Sequence, residues 1–258
     1  MELKALNGQT CIVTGSTGHI GKNICISLAK AGANIALLSS SKIKSKKFSI
    51  DLIEKYKIKC KNYYFDLDKT QKYKTILNKI NKDFKSINLL VNCAYYTTIN
   101  NINTTNTKNI IKGFNGTLIN NILFSQNTIK YLKKTSGNII NIGSIYGLVS
   151  PDPKIYFDYP INPLTYSVSK SGIIQYTKYA AVSLAKYGIR VNCISPGPFP
   201  NQEVQKNIKF ISNLKGKIPL NKIGRPKDIG ELAVFLASDS SKFITGQNII
   251  IDGGWTSI

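Results

Sequence analysis

Tyr166 and Lys170 stand four residues apart at the head of an apolar segment that runs to about Lys186. On a helix this spacing puts both side chains on one face. A phenol has an unperturbed pKa of about 10, so acid/base work near neutral pH needs a neighbour that favours the phenolate, and an ammonium is such a neighbour. Tyr and Lys are common on helices for ordinary structural reasons, so the pair alone is a weak signal. Its weight depends on what the rest of the chain places around it.

The first such element is at the start. Thr10 to Thr14 has the apolar run of a buried strand and leads into Gly15-Ser16-Thr17-Gly18-His19-Ile20-Gly21, followed by a helical stretch to about Ala31. A glycine-rich turn between strand and helix lets backbone N–H groups approach a pyrophosphate at the helix N-terminus. Gly15, Ser16, Thr17, His19 and Ile20 are therefore candidate cofactor-binding residues. A second strand, Asn34 to Leu38, follows at the distance a dinucleotide site requires.

The alternation continues. Helices are predicted over Phe48 to Tyr56, Lys69 to Phe84, Thr107 to Leu132, Thr165 to Lys186 and from Pro226, a good first helical residue, to about Ala237. Strands are predicted over Asn62 to Phe65, Asn88 to Val91, Asn138 to Ile142, Arg190 to Ile194 and Asn248 to Ile251. Strand–helix alternation of this kind means a doubly wound α/β fold, with a mainly parallel sheet covered by helices on both faces. The expectation is one domain over residues 1–258. The Asn- and Thr-rich stretch from Ile99 to Asn109 reads as a loop.

Composition narrows the function. No apolar block is long enough to span a bilayer, and Met1 to Gly8 has no apolar signal-peptide core. Cys11, Cys25, Cys60, Cys93 and Cys193 are odd in number and scattered, which suits reduced thiols in a cytoplasmic protein. His19 is the only histidine, which argues against His-rich zinc sites and Ser-His-Asp chemistry; no metal site is predicted. The net charge of +22 invites a nucleic-acid partner, yet Arg190 and Arg225 are the only arginines and the lysines are spread among Asn, Ile and Tyr. A general Lys/Asn/Ile bias explains the charge more simply, so no nucleic-acid or membrane partner is expected.

With these pieces in order the chain resembles the short-chain dehydrogenase/reductase family, in its single-domain form with a Rossmann fold. The resemblance spans nearly the whole sequence. It rests on Thr14-Gly15 with Gly21, Asp66-Leu67 after the third strand, Asn92-Cys93-Ala94 after the fourth and Gly143-Ser144 after the fifth. Tyr166 with Lys170, Ser195-Pro196-Gly197 and the tail from Ile244-Thr245-Gly246 to Asp252-Gly253-Gly254-Trp255 complete it. The resemblance implies that Tyr166 exchanges a proton with the substrate oxygen. Lys170 would lower the phenol pKa and hold the nicotinamide ribose, and Ser144 would orient the substrate carbonyl or hydroxyl. Asp66 would contact the adenine, Asn92 would support the central strand near the cofactor, and Leu67, Ala94, Pro196 and Gly197 would join them among the cofactor-binding residues. A homodimer or homotetramer is implied, with the long helices from Thr107 and Thr165 at its interfaces.

The chain also departs from the family pattern. His19 stands where most members have glycine, and Tyr95 ends a motif that usually ends in glycine. The family's asparagine in the long helix before Ser144 falls near Thr117, with Asn115, Asn120 and Asn121 as neighbours, and is not assigned. Pro151 through Pro163 is a Pro- and Tyr-rich insert that should lie over the active site with the loop from Pro198 to Leu220. This insert and Asn201-Gln202 are similar to members of bacterial sugar and surface-glycan pathways.

The implied activity is NAD(P)-dependent interconversion of a carbonyl and a secondary alcohol on a small molecule, with a sugar or polyol first and a 3-oxoacyl-carrier-protein substrate as the main rival. A non-catalytic dinucleotide sensor is the reading from another class. On the cofactor, the place of the acidic residue that marks NAD specificity holds Ser39, followed by Ser40, Ser41 and Lys42, with Lys44 close by. No carboxylate repels a 2′-phosphate there, so NADP(H) is expected over NAD(H).

Overall fold

The computed structural model describes residues 4–98, 102–103, 105–156 and 160–258. Residues 1–3, parts of the Ile99–Asn109 stretch (99–101 and 104) and part of the Pro151–Pro163 insert (157–159) lie outside it.

The chain alternates strand and helix as its hydrophobic runs dictate. It opens with β1 (Thr10–Thr14), α1 (His19–Lys30), β2 (Asn34–Ser39), α2 (Lys42–Tyr56), β3 (Cys60–Tyr64), α3 (Tyr73–Phe84) and β4 (Leu89–Asn92). Then come α4 (Thr107–Phe114) and α5 (Asn120–Leu132), joined by a π-type turn at Asn115–Ile119, and β5 (Asn138–Ile142). The remainder is α6 (Pro153–Tyr156), α7 (Leu164–Leu184), β6 (Arg190–Pro196), α8 (Gln202–Gln205), α9 (Ile208–Lys217), α10 (Pro226–Ala237) and β7 (Asn248–Ile251).

The strands form one seven-stranded parallel sheet in the order β3-β2-β1-β4-β5-β6-β7. β1, β4 and β5 are buried along their whole length, as strands covered on both faces must be. On one face Ile24 and Leu28 of α1, Leu52 of α2 and Ile229 and Val234 of α10 close the core. On the other, Tyr73 and Leu77 of α3, Phe124 of α5 and Leu184 of α7 do so. This is a Rossmann α/β fold, and its strand order reverses between β1 and β4. A crevice opens outside the carboxyl ends of the strands at such a point. Among the described residues no helix is long and apolar enough to cross a membrane.

The structure departs from the sequence reading in four places. α2 begins six residues before Phe48, because Ser41 caps it by accepting from the Lys44 N–H at 3.3 Å. β3 is shifted to Cys60–Tyr64, where Cys60 pairs with Ile35. The helix predicted from Thr107 to Leu132 is broken at its middle by the π-type turn, where Gly116 lies against Tyr96; a Cβ there would come within 2.5 Å of the Tyr96 carbonyl oxygen. The stretch Pro198–Leu220 is not all loop. Asn201 and Asn207 cap α8 and α9, accepting from the Val204 and Phe210 N–H groups at 3.0 Å each.

Candidate active site

The glycine turn is fixed by backbone contacts. Gly15 has φ +64°, and a Cβ on it would come within 2.9 Å of the Ala94 Cα; one on Gly21 would lie 2.3 Å from the Gly15 carbonyl oxygen. Only hydrogen fits at either place, so β1, the β4 loop and α1 meet closely. α1 starts at His19 with no side-chain cap and no acidic residue in its first turn, which leaves its first N–H groups for an anion. Ser16 donates to the Leu38 carbonyl at 3.2 Å, and Thr17 Oγ1 lies 2.7 Å from Ser39 Oγ.

A cleft of about 500 Å³ opens above this turn. Gly15, Gly18, His19 and Ile20 line one side; Ser144, Tyr166 and Lys170 line the other, with Pro196, Gly197, Phe199 and Asn201 at the end. α7 carries Tyr166 and Lys170 on the face the spacing predicts, and Ser144 sits immediately after β5. The Ser144 hydroxyl accepts from the Tyr146 N–H at 3.1 Å and lies close enough to the Tyr166 phenol to influence its proton. Lys170 Nζ donates to the Ile142 carbonyl at 2.6 Å, and its side chain is only 5 % exposed.

Burial governs the charges. It lowers the Lys170 pKa from its ordinary 10.5 to about 8, against a smaller opposing pull from Cys93 and Cys193. It raises the Tyr166 phenol well above its ordinary range; the field of Tyr95 adds to this and the Ser144 hydroxyl works against it. The lowering of the phenol expected from Lys170 is not found: desolvation of the phenolate is the largest influence and raises it.

A second hollow of about 430 Å³ continues from the first, sharing Gly15, Gly18, Cys93 and Tyr95. Thr17, Ser39, Ser40, Asp66, Leu67 and Ala94 line it, the set expected around an adenosine. The two hollows form one track past the N-terminus of α1. The close-packed glycine turn, the uncapped helix end and a buried His19 Nε2 without a partner together fit a dinucleotide laid along that track.

Residues 15–256 match the family model described as Enoyl-(Acyl carrier protein) reductase. The 3-oxoacyl-[acyl-carrier-protein] reductase FabG of Buchnera aphidicola subsp. Schizaphis graminum is 31% identical over 253 residues, covering 95% of this chain and 96% of that protein. The 7alpha-hydroxysteroid dehydrogenase of Clostridium sardiniense is 30% identical over 259 residues, covering 98% and 95%. Among solved structures, the RhlG/NADP active-site complex of Pseudomonas aeruginosa superposes with a TM-score of 0.89 over 99% of both chains at 23% identity.

The chain belongs to the short-chain dehydrogenase/reductase family.

Two predicted cofactor residues of this dehydrogenase/reductase do not line the track. The Ser16 side chain is fully buried and braces β2. Asn92 Nδ2 donates to Ser125 Oγ at 2.7 Å and Asn141 Oδ1 at 2.9 Å, so its side chain ties β4 to α5 and β5. The asparagine missing from the family pattern is not replaced by a side chain in the cleft. Thr117 Oγ1 donates to the Tyr96 carbonyl at 2.9 Å; Asn120 turns to Asp68 at 3.1 Å; Asn121 Nδ2 donates to the Ala94 and Thr117 carbonyls at 3.1 Å each.

Other lining residues escape a motif-based reading: Phe199, and Tyr95, which faces both hollows. Their only sequence signal is an unusual aromatic beside a motif. The insert does pack over this region. Tyr156 donates to the Tyr146 hydroxyl at 2.6 Å, and both rings join Phe210, Leu214 and Trp255 in a cluster on which Tyr166 rests.

Proposed function

We propose that this protein uses NADP(H) in preference to NAD(H) to interconvert a carbonyl and a secondary alcohol on a small molecule, a sugar or polyol first. The observation that carries the reading is the meeting of Ser144, Tyr166 and Lys170 on the wall of a cleft whose other wall is the glycine turn. The bound nucleotide would supply a hydride to the carbonyl carbon. Tyr166 donates its proton to the carbonyl oxygen, and Ser144 donates a hydrogen bond to the same oxygen and orients it. The raised phenol pKa keeps Tyr166 protonated at neutral pH, which suits a donor and hence the reductive direction. Lys170, charged below about pH 8, stabilises the phenolate left behind and holds the nicotinamide ribose.

The preference for NADP(H) draws on Ser39 and Ser40 at the end of β2, where no carboxylate stands to oppose a 2′-phosphate; the one carboxylate lining the hollow, Asp66, comes from beyond β3. The RhlG complex, which holds NADP on the same fold, is in keeping with it. Residues 1–258 would act as one domain, in the cytoplasm, where five free thiols are at ease. Exposed Ile111 and Ile119 beside α4, and Leu164 and Val168 on α7, suit burial in a homodimer or homotetramer.

A second reading, reduction of a 3-oxoacyl thioester on a carrier protein, has the FabG relative and the net charge of +22 in its favour. Turnover of sugars and 3-oxoacyl thioesters with NADPH and NADH, and of polyols with NADP+ and NAD+, separates the two. Tight nucleotide binding with no turnover on any class would return the protein to a non-catalytic sensor.

A further inference from the structure

The Lys170 ammonium sits beside two aromatic rings that are themselves in contact. Its Nζ is 5.4 Å from the centroid of Tyr166 and 5.2 Å from that of Tyr95, and the rings tilt towards each other at 5.5 Å. Both distances fall within the range at which a ring face attracts an ammonium. Tyr95 stands where the family pattern has a glycine, so this second ring is a feature of this chain. It is about half exposed, and its bulk is not explained by core filling.

The backbone around Tyr95 is held on both sides. The Ala94 carbonyl accepts from Asn121 and the Tyr96 carbonyl from Thr117, while the Cys93 and Ala94 N–H groups both donate to Thr14 Oγ1 at 3.0 Å. Thr117 and Asn121 come from the π-type turn and the helix after it. These are the residues at and beside the place of the missing asparagine, and their polar groups are spent on the Tyr95 loop. Resting on the proposed role of Lys170, we propose that Tyr95 is a positioning residue, whose ring face holds the Lys170 ammonium in place and in its charged form.

The need is physical. A buried ammonium with one hydrogen bond to a carbonyl is poorly solvated, and its pKa near 8 puts it close to losing its charge under working conditions. The titratable groups around it are Tyr95 and Cys93 from the β4 loop, Tyr166 on its own helix and Cys193 on β6. Burial raises both thiols to about 11 and keeps Tyr95 and Tyr166 as neutral phenols, so no fixed anion stands beside Lys170. The ring quadrupoles are the favourable field that remains.

The test reads Lys170 directly in the cofactor-free protein. With 13C-labelled lysine, the side-chain resonance that titrates near pH 8 is assigned by its loss in Lys170→Met; lysines in water titrate near pH 10.4. Tyr95→Leu should lower the Lys170 midpoint by roughly half a unit to one and a half units, the equivalent of one cation–π contact. Tyr95→Met, which also keeps the cover without the ring, should do the same and guards against a misfit by leucine. Tyr95→Phe, which keeps the ring, should leave the midpoint unmoved. Midpoints unchanged in the Leu and Met variants would overturn the proposal, as would a Phe variant that shifts as far as Leu. Because the measurement needs neither substrate nor turnover, a shifted midpoint in a protein that turns over no sugar, polyol or thioester would keep the positioning role and reject the proposed reaction.

Discussion

On the glycine-turn side of the cleft, backbone meets backbone. Gly15 touches the Ala94 main chain, and Gly21 touches the Gly15 carbonyl. On the opposite side, side chains meet side chains: Tyr166 leans on a cluster of Tyr146, Tyr156, Phe210 and Trp255, and Lys170 faces two rings. The first wall has one geometry dictated by sterics. The second takes its shape from which side chains the late segments supply. A backbone wall suits a nucleotide shared by many enzymes, and a side-chain wall suits a substrate that differs from one to the next.

The largest effect separates the walls by function. Tyr166→Phe removes the proton donor while leaving the glycine turn untouched, so kcat should fall about 10²–10⁴-fold with nucleotide affinity unchanged. Steady-state kinetics beside a fluorescence titration of NADPH would show both; near-normal kcat in the Phe variant would mean the chemistry lies elsewhere.

Stability gives the next contrast. Burying Lys170 holds its pKa near 8 rather than 10.5, a penalty of about 3 kcal/mol at neutral pH on the usual conversion. Because the unfolded chain binds the proton more tightly, that penalty is complete below pH 8 and is relieved as pH rises towards 10.5. Lys170→Met should therefore raise the unfolding free energy at pH 7, by up to about 3 kcal/mol less whatever the lost Ile142 hydrogen bond contributed. The gain should shrink between pH 8 and 10.5, and denaturant melts at pH 7 and pH 10 measure it. A variant less stable than the parent at pH 7 would show that the ammonium is better solvated than its surroundings indicate.

The two walls also differ in how far the sequence reveals them. Gly15, Gly21 and the parallel sheet were legible because a close backbone approach demands glycine and a parallel sheet demands apolar runs. Ser144, Tyr166 and Lys170 came together as their spacing and family pattern implied. The side chains of Ser16 and Asn92 brace the sheet instead of lining the track, since a motif gives a residue's place along the chain and not the direction its side chain takes. Helices α8 and α9 were missed although Asn201 and Asn207 are ordinary caps, because the helices are short and Pro, Gly and Lys surround them. Tyr95 and Phe199 carry no periodic signal at all; only the fold brings them to the cleft.

A pair of glycines sharpens the contrast in steric terms. A Cβ on Gly21 would sit 2.3 Å from a backbone oxygen, and one on Gly224 would sit 2.3 Å from Phe199 Cε1, a side-chain atom that can swing aside. Gly21→Ala should cost about 1–3 kcal/mol and weaken NADPH binding, as overpacking of rigid neighbours does. Gly224→Ala should cost under about 1 kcal/mol and leave NADPH binding unchanged, because a ring turns more cheaply than a helix moves. Equal losses in the two variants would mean that the substrate side is as rigid as the nucleotide side.

The smallest effect lies at the far end of the backbone wall, where side chains choose between two nucleotides. Ser39 is buried; its hydroxyl lies 2.7 Å from Thr17 Oγ1 and accepts from the Ser41 N–H at 3.1 Å, while Ser40 is exposed at the rim of the adenosine hollow. Lys42 lies over the Tyr64 ring at 5.3 Å, and the exposed Lys44 is free to swing to a phosphate. A carboxylate at position 39 can still accept from Thr17 and from the Ser41 N–H, so Ser39→Asp suits its surroundings. It adds a charge that repels a 2′-phosphate and accepts from ribose hydroxyls instead. The parent should favour NADP(H) in kcat/KM by at least several-fold, and Ser39→Asp should move that ratio several-fold towards NAD(H). A parent that clearly prefers NAD(H) would overturn the assignment. A ratio unmoved by Ser39→Asp would shift the choice of nucleotide to Ser40 and the lysines beyond it.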